Sequence, residues 1–191
     1  MMINRKNSGF TIVELLIVVV VVAILAAIAT VAYSGVQQRA RNSAIVTAAG
    51  QSMTAIKMYL AANGAYPYTG GGNACITSTS GCVRETGGVD SAVATFDNNI
   101  ATVATAPKSV AKSGTAGYGV MYNYLSTRTY NGVTAPAMLF YYLEGVNQNC
   151  GVAGVMTAWD IAVTSASGYT SGNAASTGKT LCFVSVPGPS V

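Results

Sequence analysis

The sequence predicts an α+β fold in which one long N-terminal α-helix, hydrophobic in its first half and amphipathic in its second, packs on an antiparallel β-sheet of three to five strands. Three observations predict it. An unbroken apolar run opens the chain, a helical stripe of apolar residues continues past it without a breaker, and the C-terminal half carries β-branched and aromatic segments set apart by turn-prone residues. At 191 residues the chain holds one globular domain plus an appendage.

Residues 1–9 form a short, polar leader that contains Arg5 and Lys6. In residues 15–32 every side chain except Thr30 is apolar, and with residues 10–13 ahead of it the stretch reaches the roughly 20 apolar residues a bilayer-crossing helix needs. Residues 10–33 are therefore the hydrophobic half of the helix, and the basic leader is expected on the cytoplasmic side. The run Ala26-Ala27-Ile28-Ala29 also resembles the small-residue cleavage site of an ordinary signal peptide, so two cut positions are open, one before the apolar run and one within it.

Over residues 34–63 the apolar positions Ile45, Ala49, Met53, Ile56 and Leu60 recur at spacings of three and four, with Arg41, Gln51 and Lys57 off that face. Asn63-Gly64 is the stop signal, and Pro67 follows. A single helix from about Phe10 to about Asn63 would be on the order of 80 Å long at ~1.5 Å per residue. That exceeds what a membrane span or a small domain needs by itself.

Residues 64–117 are rich in Gly, Ser, Thr, Asn and Ala, with Gly70-Gly71-Gly72 and Gly87-Gly88 as punctuation, and are expected to form a long, partly ordered loop between helix and sheet. Residues 118–191 hold the sheet and the C-terminal cysteines. Strands are expected at 118–125, 137–143, 161–164 and 180–186, with turns at Asn131-Gly132, residues 145–151 and residues 171–173.

Composition narrows the function. Charged residues make up 8% of the chain against a usual ~25%, and the net charge of +4 forms no basic stripe, which argues against nucleic-acid binding. Removing Arg5 and Lys6 with the leader leaves eight basic against six acidic residues. The absence of histidine takes away the commonest general base and most zinc sites. No catalytic residue, metal ligand or cofactor is expected. An enzyme would have to build its site from Glu85, Asp90, Asp97, Glu144 or Asp160, and no two of these have a recognisable catalytic spacing. Asp90, Asp97 and Asp160 are likewise too scattered for a calcium loop. The eleven tyrosines read as sheet core or half-exposed face, and Trp159 as a core or subunit-contact residue.

The cysteines Cys75, Cys82, Cys150 and Cys182 all lie beyond the apolar run, where export to an oxidising compartment favours disulfides. Four cysteines allow three connectivities. Cys75–Cys82 with Cys150–Cys182 is preferred, because the first pair closes a short Gly/Ser/Thr loop and the second ties the last strand to the turn at 145–151.

The most informative segment is Gly9-Phe10-Thr11-Ile12-Val13-Glu14-Leu15-Leu16. A carboxylate one turn into a bilayer-spanning run costs roughly 2.5–3.5 kcal/mol at mid-membrane and less near the interface, so Glu14 calls for a function. Here the chain resembles the precursors of type IV pilins and of the pseudopilins of type II secretion. Their signature is a short basic leader ending in Gly, then Phe-Thr-x-x-Glu and an apolar helix. The resemblance is close over residues 5–32, and beyond that covers only the layout of helix, loop, sheet and C-terminal cysteine pair. These relatives often carry a proline part-way along the helix, whereas this chain has none before Pro67 and only Gly35 as an early breaker.

The resemblance implies a history as well as a fold. A membrane-embedded prepilin peptidase would cut between Gly9 and Phe10 and N-methylate Phe10. The subunit would wait in the inner membrane, and an ATPase-driven assembly platform would add it to other copies of itself in a helical filament. Cleavage creates a lone ammonium at Phe10, for which Glu14 of a neighbouring subunit is the matching anion, a pairing that would set axial register. The plainer alternative is that Glu14 complements its own helix N-terminus, worth about 0.3–1 kcal/mol. The expected function is that of a structural pilin. The alternatives are a pseudopilin or minor pilin of a secretion or competence machine and, from another class, a membrane-tethered extracellular enzyme or binding domain.

Overall fold

The structure, a computed structural model, describes residues 9–84, 87–108, 118–130, 133–153, 172–174 and 178–188. The chain divides into two compact units, Met1–Arg39 and Ala40–Val191. The first consists, in its described part, of the opening of helix α1 (Ile12–Asn63), whose 52 residues continue into the second. Their helicity follows from the absence of proline and from an apolar composition that leaves the backbone to satisfy itself. At its far end Gly64 takes a left-handed conformation (φ 63°) and donates its N–H to the Leu60 carbonyl at 2.8 Å, the αL stop that Asn63-Gly64 announces.

The second unit is built on a five-stranded, wholly antiparallel sheet. Its strands are β1 (Asn73–Cys75), β4 (Val120–Tyr124), β7 (Ala137–Glu144), β8 (Gly172–Ala174) and β9 (Lys179–Val186), in the order β1-β4-β7-β9-β8. Strand β7 is the centre, paired from Ala137↔Tyr124 on one side and along its whole length, Ala137↔Val186 to Glu144↔Lys179, on the other. Both of its faces are buried, which is why it reads as a continuous apolar run rather than an alternating one. Tyr122, Leu139, Tyr141, Leu143, Val184 and Val186 share one core with Ile45, Ala49, Met53, Ile56 and Leu60 of α1. The alternate positions Met121, Met138, Phe140, Tyr142, Leu181 and Phe183 form a second core on the opposite face, as the period of two requires. The five helix residues expected to face the sheet are all buried, whereas Gln51 and Lys57 are exposed; Arg41, expected off that face with them, is half-buried because its guanidinium reaches Glu144 at the end of β7.

The long loop expected over residues 64–117 is more ordered than composition implies. It supplies β1 to the sheet, a two-stranded ladder of β2 (Cys82–Val83) and β3 (Val89–Asp90), and helix α2 (Ala94–Ala101), whose Phe96 and Ile100 enter the main core. Strands of two or three residues are too short to show a period, and an i, i+4 pair among Asn, Asp and Ala is a faint helical signal. A second small ladder, β5 (Thr129–Tyr130) with β6 (Val133–Thr134), flanks residues 131–132. It is anchored by Arg128, which is 1% exposed and donates to the Pro136 carbonyl at 2.9 Å and to Asn123 Oδ1. The strand expected at 161–164, with Trp159 and Asp160, lies outside the described residues, as does Glu85.

Two disulfides join Cys75 to Cys82 and Cys150 to Cys182, closing loops with separations of 7 and 32 residues. Gly119 makes the first possible. At its positive φ of 88° a Cβ would stand 2.5 Å from Cys82 Sγ, so any larger residue would push that sulfur out of place.

Candidate assembly site at the start of the long helix

Gly9 and Phe10 precede α1, and both are exposed; Phe10 keeps 79% of its surface. Among the described residues, no atom beyond its chain neighbours lies within 4 Å of the position a Gly9 Cβ would take.

Thr11 is the N-cap of α1 and Glu14 its third residue, and the two close a reciprocal ring. The Thr11 N–H and hydroxyl both donate to Glu14 Oε2, at 2.8 and 2.7 Å, and the Glu14 N–H donates to Thr11 Oγ1 at 3.3 Å. This is a capping box, in which two of the otherwise unpaired helix-start donors find acceptors. Its signature, Thr-x-x-Glu ahead of an apolar run, stands in the sequence. The box preorganises the carboxylate at the very start of the apolar segment. It uses one carboxylate oxygen for both contacts, and no hydrogen bond to Oε1 is formed among the described residues.

From Val13 to Ile28 the large apolar side chains retain between 47% and 65% of their surface. Contiguous apolar exposure on this scale marks a surface made for lipid or for protein. Helix α1 is long and apolar enough to cross a membrane. Glu14 is the one charged residue between Phe10 and Ala32. The arrangement thus has two chemical capabilities, namely burial of an apolar helix and presentation of one anion close to the Gly9–Phe10 bond, whose hydrolysis would free an ammonium at Phe10.

Of the five acids from which an enzymatic site could be built, the three among the described residues form ion pairs. Asp90 pairs with Arg84 at 3.2 Å, Asp97 with Lys108 at 2.6 Å and Glu144 with Arg41 at 2.6 Å. Among the described residues no group of three or more Cys, Asp or Glu side chains is placed to hold a metal ion.

No curated protein and no solved structure matches the chain. Residues 4–30, which contain Gly9, Phe10, Thr11 and Glu14, match the family model of the prokaryotic N-terminal methylation motif, a match consistent with a type IV pilin-like or pseudopilin protein.

Proposed function

We propose that this chain is a non-enzymatic structural subunit, a pilin, of a type IV pilus-like extracellular filament. The observation that carries the proposal is Glu14, a single preorganised carboxylate at the head of an exposed apolar helix inside a methylation motif. The precursor sits in the cytoplasmic membrane through residues 10–33. A prepilin peptidase cuts between Gly9 and Phe10 and methylates the new terminus, and an ATPase-driven platform adds the subunit to a filament of its own copies. A repeated heterologous contact between identical subunits does not close, and so propagates as a helix. In its core the Phe10 ammonium of one subunit meets Glu14 of a neighbour, so that two charges that are costly to bury alone are buried together.

The capping box makes a clean test possible. Glutamine at position 14 keeps the box, since either Glu or Gln serves there, but removes the anion. Glu14→Leu removes both. Cells carrying only Glu14→Gln or only Glu14→Leu are expected to process the subunit normally and to yield few sheared filaments, because an uncompensated buried ammonium costs roughly 3–5 kcal/mol. Normal filament yield from Glu14→Gln, with loss only in Glu14→Leu, would reduce Glu14 to a helix cap. Intact-mass analysis of surface material should show a chain beginning at Phe10 with one added methyl group.

A further inference from the structure

Two consecutive residues of α1, Arg41 and Asn42, hold one residue of the central strand at four points. Arg41 donates from Nε and Nη2 to the two carboxylate oxygens of Glu144, at 2.8 and 2.6 Å. Asn42 reads the Glu144 backbone as a neighbouring strand would: its Oδ1 accepts the Glu144 N–H at 2.7 Å and its Nδ2 donates to the Glu144 carbonyl at 2.9 Å. The same Nδ2 reaches Gln148 Oε1 at 3.3 Å. The Gln148 N–H in turn donates to Thr180 Oγ1, and that hydroxyl to the Gly145 carbonyl, both at 2.9 Å. Asn42 is therefore tied to β7 directly and to Thr180 of β9 through Gln148, and the Cys150–Cys182 bond fastens the intervening loop to β9 as well.

We infer that Arg41 and Asn42 are a force-bearing latch, through which a pull on the globular unit passes between α1 and the centre of its sheet. The latch stands at the Glu144 end of β7, which is also the Lys179 end of β9. The C-terminal end of β9 lies at the opposite end of the sheet, where Gly188 approaches Tyr66 just beyond the end of α1. Tension between the start of the unit and its C-terminus therefore shears α1 along the sheet and loads the bonds to Glu144 side by side. Short directional bonds resist such displacement until they break, whereas apolar packing has no direction and yields gradually. Bidentate guanidinium–carboxylate geometry adds to that resistance. The source of the tension rests on the filament proposed above; the latch itself does not.

The test uses the full chain in detergent micelles, held at constant force between handles at Gln37 and Gly188. Asn42→Ala and Arg41→Gln are compared with Ile56→Val, a buried change in the same helix, at conditions where the variants have lost equal amounts of thermal midpoint. Arg41 is partly exposed, so its variant keeps the test open should Asn42→Ala fold poorly. The latch variants are expected to open on the order of tenfold faster than wild type, and faster than Ile56→Val. Equal opening rates for Ile56→Val and the latch variants, or latch variants that open as wild type does, overturn the inference. Filament yield does not enter this readout, so failure of the latch and failure of the filament proposal are seen separately.

Discussion

Replacing Tyr141 with phenylalanine should produce a stability deficit that shrinks and then reverses as pH rises. Tyr141 is fully buried at the middle of β7, and its phenol donates to the Cys150 carbonyl. The variant keeps the ring and loses the hydroxyl, so at neutral pH it should be less stable by about 1–3 kcal/mol, the cost of leaving a buried polar group without its partner. Burial pushes the Tyr141 phenol well above its ordinary value of 10.0, because the phenolate cannot be solvated there. Above pH ~10 the unfolded chain releases this proton while the folded chain keeps it. The native state then binds more protons, and stability falls by about 1.4 kcal/mol per pH unit for each such group. Tyr122 adds a second, its phenol raised first by burial and then by Tyr66 and Tyr124, against an opposing pull from Arg128. Wild type should therefore lose about 2.7 kcal/mol per unit from these two groups and the variant about 1.4, so the curves cross at about pH 11–12. All other titrations are common to both proteins and cancel in the difference. Urea unfolding of the detergent-solubilised chain, followed by circular dichroism from about pH 8 upward, measures that difference directly. A deficit that stays constant through this range would mean that Tyr141 ionises as readily folded as unfolded, and the burial argument would be wrong.

Three further outcomes are expected. Ser52 has a buried Oγ with no hydrogen-bond partner among the described residues, so Ser52→Ala should raise stability by about 0.5–2 kcal/mol in the same urea assay; a loss would reveal a partner, such as an ordered water. Replacing Cys75 and Cys82 together should cost about 2.5 kcal/mol, and Cys150 with Cys182 about 3.7 kcal/mol, since the longer loop restrains the unfolded chain more. The reverse order would show that native-state contacts, not loop closure, dominate. Gly9→Leu should abolish cleavage between residues 9 and 10, read by mass, while leaving membrane insertion intact. Among the described residues nothing beyond its chain neighbours crowds a side chain at Gly9, so the block is expected to arise in the peptidase, and efficient cleavage would contradict it.

Much of the fold was legible because its signals are long or chemically singular. The apolar run and the stripe from Ile45 to Leu60 repeat over many turns, and Asn63-Gly64 ends them with a conformation that few residues other than glycine adopt readily. Glu14 stood out because a charge in such a run needs a reason. The order hidden in residues 64–117 was not legible, since β1 gains its stability from pairing with β4 and α2 from burying Phe96 and Ile100, and neither depends on local pattern.

By itself, then, the sequence determined the α+β class, the extent of the long helix and its two characters, and the methylation motif with its lone acid. These are properties of neighbours along the chain, set by periodicity, hydropathy and backbone preference. Only the tertiary structure decided which of three cysteine pairings forms, that Arg128 is a buried anchor, and that Asn42 takes the place of a strand beside Glu144. Each of these depends on atoms brought within hydrogen-bond or covalent reach by folding, some of them across a hundred residues, and no spacing in the sequence encodes such a distance.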